Sequence, residues 1–158
     1  MSDSHLHRYL TTCSWRGSTG DGYDAYDRRH TTSLPPTDAV LALSSDPAFR
    51  GDAALANPEQ LLVLAASSCQ LLSFLAVAAR ARVDVIAYDD TAEGVMPDAR
   101  HSSITEIVLR PRITVASGTD HQRIVHLCEV AHRECFIANS LRTDITVEPT
   151  IEYAPQPV

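Results

Sequence analysis

Apolar and polar positions alternate with a period of two over residues 5–15, where Tyr9, Cys13 and Trp15 share one face, and this predicts a strand. Turn chemistry follows from Gly17 to Gly22, so residues 23–34 read as the returning strand of a hairpin. The Pro35-Pro36 pair ends that strand, because proline cannot donate to a ladder, and residues 39–43 make a third, shorter one. Residues 44–56 read as a loop carrying Asp46, Arg50 and Asp52.

The pattern then changes period. Asn57-Pro58-Glu59-Gln60 is a helix start: Asn is a strong N-cap, proline suits the first helical position, and a Gln at the third can close a capping box. The predicted helix runs to about residue 81 and is apolar almost all round, the pattern of a buried core helix. Its stretch 61–79 has the length of a membrane span, but Ser67, Ser68, Gln70 and Ser73 interrupt it and no basic flank accompanies it. In so short a chain such a helix is most easily buried at a subunit interface. Residues 83–96 and 104–115 read as two strands around a polar connection. Thr119 or Asp120 then caps a second helix in which Ile124, Leu127, Cys128, Ala131, Cys135 and Ala138 recur at helical spacing. Residues 143–153 close the chain as one last strand. The order of three strands, helix, two strands, helix and strand is an α+β arrangement, with helices packed on antiparallel sheet.

Composition narrows the function. With 158 residues and 44% apolar content, a single domain over residues 1–158 is expected, able to build its own core. The net charge is −7, and all thirteen basic residues are Arg with no basic cluster, so nucleic acid is not an expected partner. The polar, His-rich first ten residues lack the apolar core of a secretory signal, which points to a cytoplasmic address. In that reducing setting Cys13, Cys69, Cys128 and Cys135 read as free, catalytic or metal-bound thiols and not as structural bridges.

Three segments carry a family resemblance. Asn57-Pro58-Glu59-Gln60-Leu61-Leu62, leading to Ser67-Ser68-Cys69, resembles the signature helix of the OsmC/Ohr hydroperoxide reductases. Ala131-His132-Arg133-Glu134-Cys135-Phe136-Ile137-Ala138-Asn139-Ser140 resembles that family's second-cysteine helix. Asp46-Pro47-Ala48-Phe49-Arg50-Gly51-Asp52 is similar to a loop before the first helix in its OsmC-like branch. The resemblance runs in order from about Tyr9 to Glu148. It implies an intertwined homodimer with antiparallel sheets and two long central helices, and a cytoplasmic thiol-dependent peroxidase acting on organic hydroperoxides. It further implies that Cys69 attacks the peroxide, that Cys135 resolves, that Glu59 and an Arg complete the site, and that a dithiol reductant of the lipoamide type regenerates it without a bound cofactor. The chain departs from the family in two places. Phe136 stands where the family often has proline, and residues 18–22 hold no Arg where the Ohr branch places its catalytic one, so Arg50 is the candidate, with Arg28 second.

The residue types suit this chemistry on their own terms. A thiol attacks as its thiolate, and Cys69 lies too deep in its helix to feel the N-terminal dipole, so a nearby Arg is required. A carboxylate such as Glu59 would hold that guanidinium in a two-pronged ion pair. Attack on peroxide leaves a sulfenic acid that Cys135 can capture before further oxidation. Plainer readings stand beside these. A cysteine on an apolar helix face is commonly a small core residue, and Cys128 and, on its strand, Cys13 carry no matching motif and are read as packing residues. Glu59 could serve only the helix dipole, Arg50 could be a solvated charge, and His132 with Cys69 could hold zinc, although no fourth ligand is evident. The rival function is a non-catalytic redox-sensing or ligand-binding protein on the same fold, with Phe136 filling the space a substrate would need.

Overall fold

The computed structural model describes residues 6–155. They fall into two compact units divided between Pro58 and Glu59.

The first unit is a three-stranded antiparallel sheet in the order β1 (Thr12–Ser14), β2 (His30–Ser33), β3 (Val40–Leu43), with Cys13 opposite Thr32 and His30 opposite Leu43. The first two strands are much shorter than their sequence pattern suggests, and His5 lies outside the described residues. For the second strand the reason is an aromatic loop. Arg28 donates to the carbonyls of Tyr23 and Tyr26 and lies 3.8 Å over the Tyr26 ring, and Trp15 donates to Asp27 O at 2.7 Å. These bonds curl residues 23–28 into turns that an alternating pattern cannot distinguish from a strand. The sheet has little core of its own: all of β1 is exposed, and Val40 stays 64% exposed.

The loop before the long helix is tightly built. A 3₁₀ turn, Pro47–Phe49, is capped by Asp46 through Ala48 N at 2.7 Å, and Gly51 N returns to Asp46 O at 3.0 Å. A Cβ on Gly51 would sit 1.6 Å from Ser45 O, so only glycine fits there.

The second unit holds α1 (Pro58–Arg80), β4 (Val85–Val95), β5 (Glu106–Val115), α2 (His121–Glu134), α3 (Phe136–Ser140), β6 (Asp144–Val147) and β7 (Thr150–Tyr153). β5 is central, antiparallel to β4 on one side and parallel to both β6 and β7 on the other. Two expectations are corrected here. This sheet is mixed, not antiparallel, and the last strand is two strands. The split falls where Arg110 and Pro111 of β5 would face Glu148 and Pro149. Two prolines without N–H groups leave the ladder short of donors at that point. Phe74, Val77 and Ala78 of α1 and Ile124, Leu127, Cys128 and Ala131 of α2 pack against Ile113 and Val115 of β5 in one buried cluster. α1 is long and apolar enough to cross a membrane, yet Ala66, Gln70, Phe74, Val77 and Ala78 are buried within the protein.

The second helix is also corrected. The sequence predicts one helix through Cys135 to Ala138, whereas the backbone breaks at Cys135, with φ −70° and ψ 112°. Asp120 caps the start of α2 through Arg123 N at 2.9 Å, as expected. At its end, the Asn139 side chain donates to Arg133 O at 3.0 Å, satisfying a carbonyl that the helix no longer pairs.

Candidate active site

Cys69 lies midway along α1, anchored on both sides. Ser67 donates to the Asp90 carboxylate of β4, which also accepts Arg110 N at 2.8 Å. Gln70, 1% exposed, donates to Cys128 O of α2 at 3.2 Å. These contacts hold the middle of α1 between sheet and second helix, and Cys69 is left half-buried there.

Cys135 comes to it from the break between α2 and α3. It comes close enough for the Cys69 side chain to act on its thiol, so the two sequence candidates form one pair, and all four cysteines are free thiols. Cys135 is 1% exposed. Burial pushes its thiol up to about 11, and the neighbouring Cys69 side chain adds to this, while the N–H groups of Ala138 and Ile137 act in the opposite direction. Its Sγ is the N-cap of α3, accepting from Ala138 N at 3.4 Å. The break therefore does two jobs: it turns the sulfur towards Cys69, and it gives that sulfur backbone donors. Phe136, the first residue of α3, is 80% exposed and does not fill space beside the pair.

Cys128 is different. It is 3% exposed and pushed up to about 12, chiefly by burial and then by Glu129, as befits a packing thiol. Cys13, also read from sequence as a packing residue, is exposed on β1. His132 lines a cavity of about 260 Å³ with Cys128, Glu129 and Pro149. Among the described residues no three His, Cys, Asp or Glu side chains are grouped to hold a metal.

Glu59 occupies the first turn of α1, as expected. Ten residues at 1.5 Å each separate it from Cys69 by roughly 15 Å along the helix, so the two do not meet within one chain. Arg50 belongs to the first unit. It takes a left-handed conformation, φ 65°, and its Nε meets Asp24 Oδ1 at 2.7 Å. Arg28 is spent on the Tyr23 and Tyr26 carbonyls. Sequence reasoning passed over Arg29, which pairs with Asp52 at 2.5 Å in a groove of about 630 Å³ that Arg16 and His30 also line. The Ala54 N–H and then Arg29 hold the Asp52 carboxyl below its usual range. The doublet Arg28-Arg29 after a loop was the available signal, but only the fold shows that Arg28 is held by backbone carbonyls while Arg29, its side chain 62% exposed, lines the groove.

The family described as OsmC-like protein matches residues 51–150, a span containing Glu59, Cys69 and Cys135. The chain belongs to the OsmC family. Among solved structures, it is similar to an OsmC-like protein of unknown function from Vibrio cholerae, 29% identical with a TM-score of 0.81, covering 92% of this chain and 100% of that one. An organic hydroperoxide resistance protein from Elizabethkingia anophelis, 19% identical, has a TM-score of 0.70 over 96% of this chain and 99% of that one. Another from Legionella pneumophila, 18% identical, has a TM-score of 0.69 over 93% and 98%. At these identities the last two support the fold. A search of curated proteins gives no match.

Proposed function

We propose that the protein is a thiol-dependent peroxidase that reduces organic hydroperoxides to alcohols. The observation carrying this reading is the pair itself, a half-buried Cys69 beside a buried Cys135 in a chain with the OsmC fold. Cys69 thiolate attacks the terminal peroxide oxygen, the O–O bond breaks, and the alkoxide leaves as the alcohol with one proton. The resulting Cys69 sulfenic acid is attacked by Cys135, whose thiol is protonated near neutral pH. The S–S bond forms, and the Cys135 proton departs with the sulfenic hydroxyl as water.

The remaining roles in this reading rest on the sequence resemblance: Arg50 stabilises the thiolate, Glu59 orients the guanidinium and meets the peroxide, a dithiol of the lipoamide type regenerates the pair, and no bound cofactor takes part. The active form is a homodimer in the cytoplasm, where free cysteines persist. The sensor alternative would need Phe136 to close the space beside the pair, and within its own chain the Phe136 ring is 80% exposed.

The test is turnover. With a dithiol present, the protein should consume many equivalents of cumene hydroperoxide per subunit, and Cys69→Ser should retain less than a few per cent of that rate. A single equivalent consumed and then arrest would favour the sensor. Substantial activity in Cys69→Ser would remove the assignment of Cys69.

A further inference from the structure

No proline or glycine lies between Ala131 and Ser140, yet the backbone leaves the helix at Cys135, with φ −70° and ψ 112°. A sharp break in a helix has an identifiable cause: a proline, a glycine, or a side chain inserted into the ladder of backbone bonds. Asn139 supplies the third. In a continuous helix the Arg133 carbonyl would accept from Ile137 N, four residues on. Here it accepts from the Asn139 side-chain amide at 3.0 Å, while Asn139 N donates to Cys135 O, also at 3.0 Å. One residue thus grips both sides of the break, its side chain bound to the end of α2 and its backbone to Cys135. Asparagine suits this place, because its short amide competes with backbone donors for nearby carbonyls. Asn139 belongs to neither buried apolar cluster, so core packing does not account for it.

Resting on the peroxidase reading above, we propose that Asn139 is a positioning residue of the resolving step: its side-chain amide holds the break between α2 and α3, and the break holds Cys135 Sγ towards Cys69. The step it serves is the attack of Cys135 on the Cys69 sulfenic acid. The S–S bond forms, the S–O bond breaks, and the hydroxyl leaves with the Cys135 proton as water. The competing fate of the sulfenic acid is a second hydroperoxide, which transfers one oxygen to give the sulfinic acid and an alcohol. Resolution is intramolecular and depends on the placing of two sulfurs, whereas over-oxidation needs Cys69 alone. Asn139 therefore sets how much peroxide the protein withstands, and it has no part in the first attack.

The experiment compares the parent protein with Asn139→Ala and Asn139→Asp, the second of which keeps the side-chain shape and loses the donor. Two quantities are read for each. One is the rate constant of the first reaction of Cys69 with cumene hydroperoxide, from rapid acid quench and thiol alkylation. The other is the peroxide concentration at which half of Cys69 becomes sulfinic acid during a fixed period of turnover with dithiothreitol, from peptide mass spectrometry. The expected result is that this concentration falls by about fivefold or more in both variants, while the first rate constant stays within about twofold of the parent. An unchanged concentration in either variant overturns the proposal; a parent-like Asn139→Asp would show that the donor is not what matters. A fall matched by an equal fall in the first rate constant also overturns it, since a merely structural residue would move both. If one equivalent of peroxide gives no Cys69–Cys135 disulfide in the parent, Cys135 is not the resolving residue and this inference falls, while attack at Cys69 stands.

Discussion

Burial of neutral thiols makes stability depend on alkaline pH. Cys128 and Cys135 are pushed up from 9.0 to about 12 and about 11 in the folded protein, in both cases chiefly by burial. A raised value means that the folded state keeps its proton longer than the unfolded chain does. The contribution is fully present below pH 9 and is lost as pH rises towards the folded values, because the unfolded chain gains from ionising. Each thiol withdraws up to about 1.4 kcal/mol per pH unit in that window. Urea unfolding at pH 8 and pH 10 should therefore show a fall in stability, and Cys128→Ala should show a shallower one. Equal slopes in parent and variant would mean that Cys128 ionises alike in both states. Motif and helical spacing singled out Cys69 and Cys135, which the fold brings close together, and read Cys128 as a packing residue, which its burial fits. The strand pattern misjudged Cys13, because period-two alternation says which residues share a face and not whether anything covers that face.

At the scale of elements, the junction of α2 and α3 is the feature the sequence hid. Cys128, Ala131, Cys135 and Ala138 keep helical spacing across the break, so periodicity alone predicts a continuous helix. The departure at Phe136 now has a physical reading. Cys135 already holds the extended ψ of 112° that a following proline would impose, and Phe136 is the first residue of α3, where proline is tolerated. Phe136→Pro should therefore leave the unfolding free energy within about 1 kcal/mol of the parent. A proline inside a continuous helix costs about 3 kcal/mol or more, so a loss of that size would show that α2 and α3 are one helix in solution. The α1 start, its end near residue 81 and the β4–β5 pair were legible because cap, proline and period agreed there. The split between β6 and β7 was not, since it depends on Pro111 and Pro149 facing each other across a ladder that sequence does not display.

At the scale of the whole molecule, the single chain leaves apolar surface uncovered. Leu64, Leu72 and Leu75 are 60%, 63% and 39% exposed, and with Ser68 and Ala76 they fall on one face of α1. A three-stranded sheet with almost no buried residues is likewise marginal alone. Both observations support the homodimer proposed above, and helix geometry gives that dimer a chemical purpose. Glu59 and Cys69, roughly 15 Å apart along one helix, can serve one site only if they come from different subunits. The prediction is complementation between Cys69→Ser and Glu59→Ala, each inactive alone, unfolded together and refolded as a mixture. In the mixed dimer one site lacks both residues, while the other joins an intact Cys69 to an intact Glu59. Activity approaching one quarter of the wild type is expected, since half of the dimers are mixed and each carries one complete site. Were the site built within a single chain, every site in the mixed dimer would still lack one residue. Heterodimer seen by native mass spectrometry without recovered activity would therefore exclude the composite site and leave Cys69 and Cys135 in place. Full activity in Glu59→Ala alone would instead return Glu59 to the plainer role of an acidic residue at a helix start.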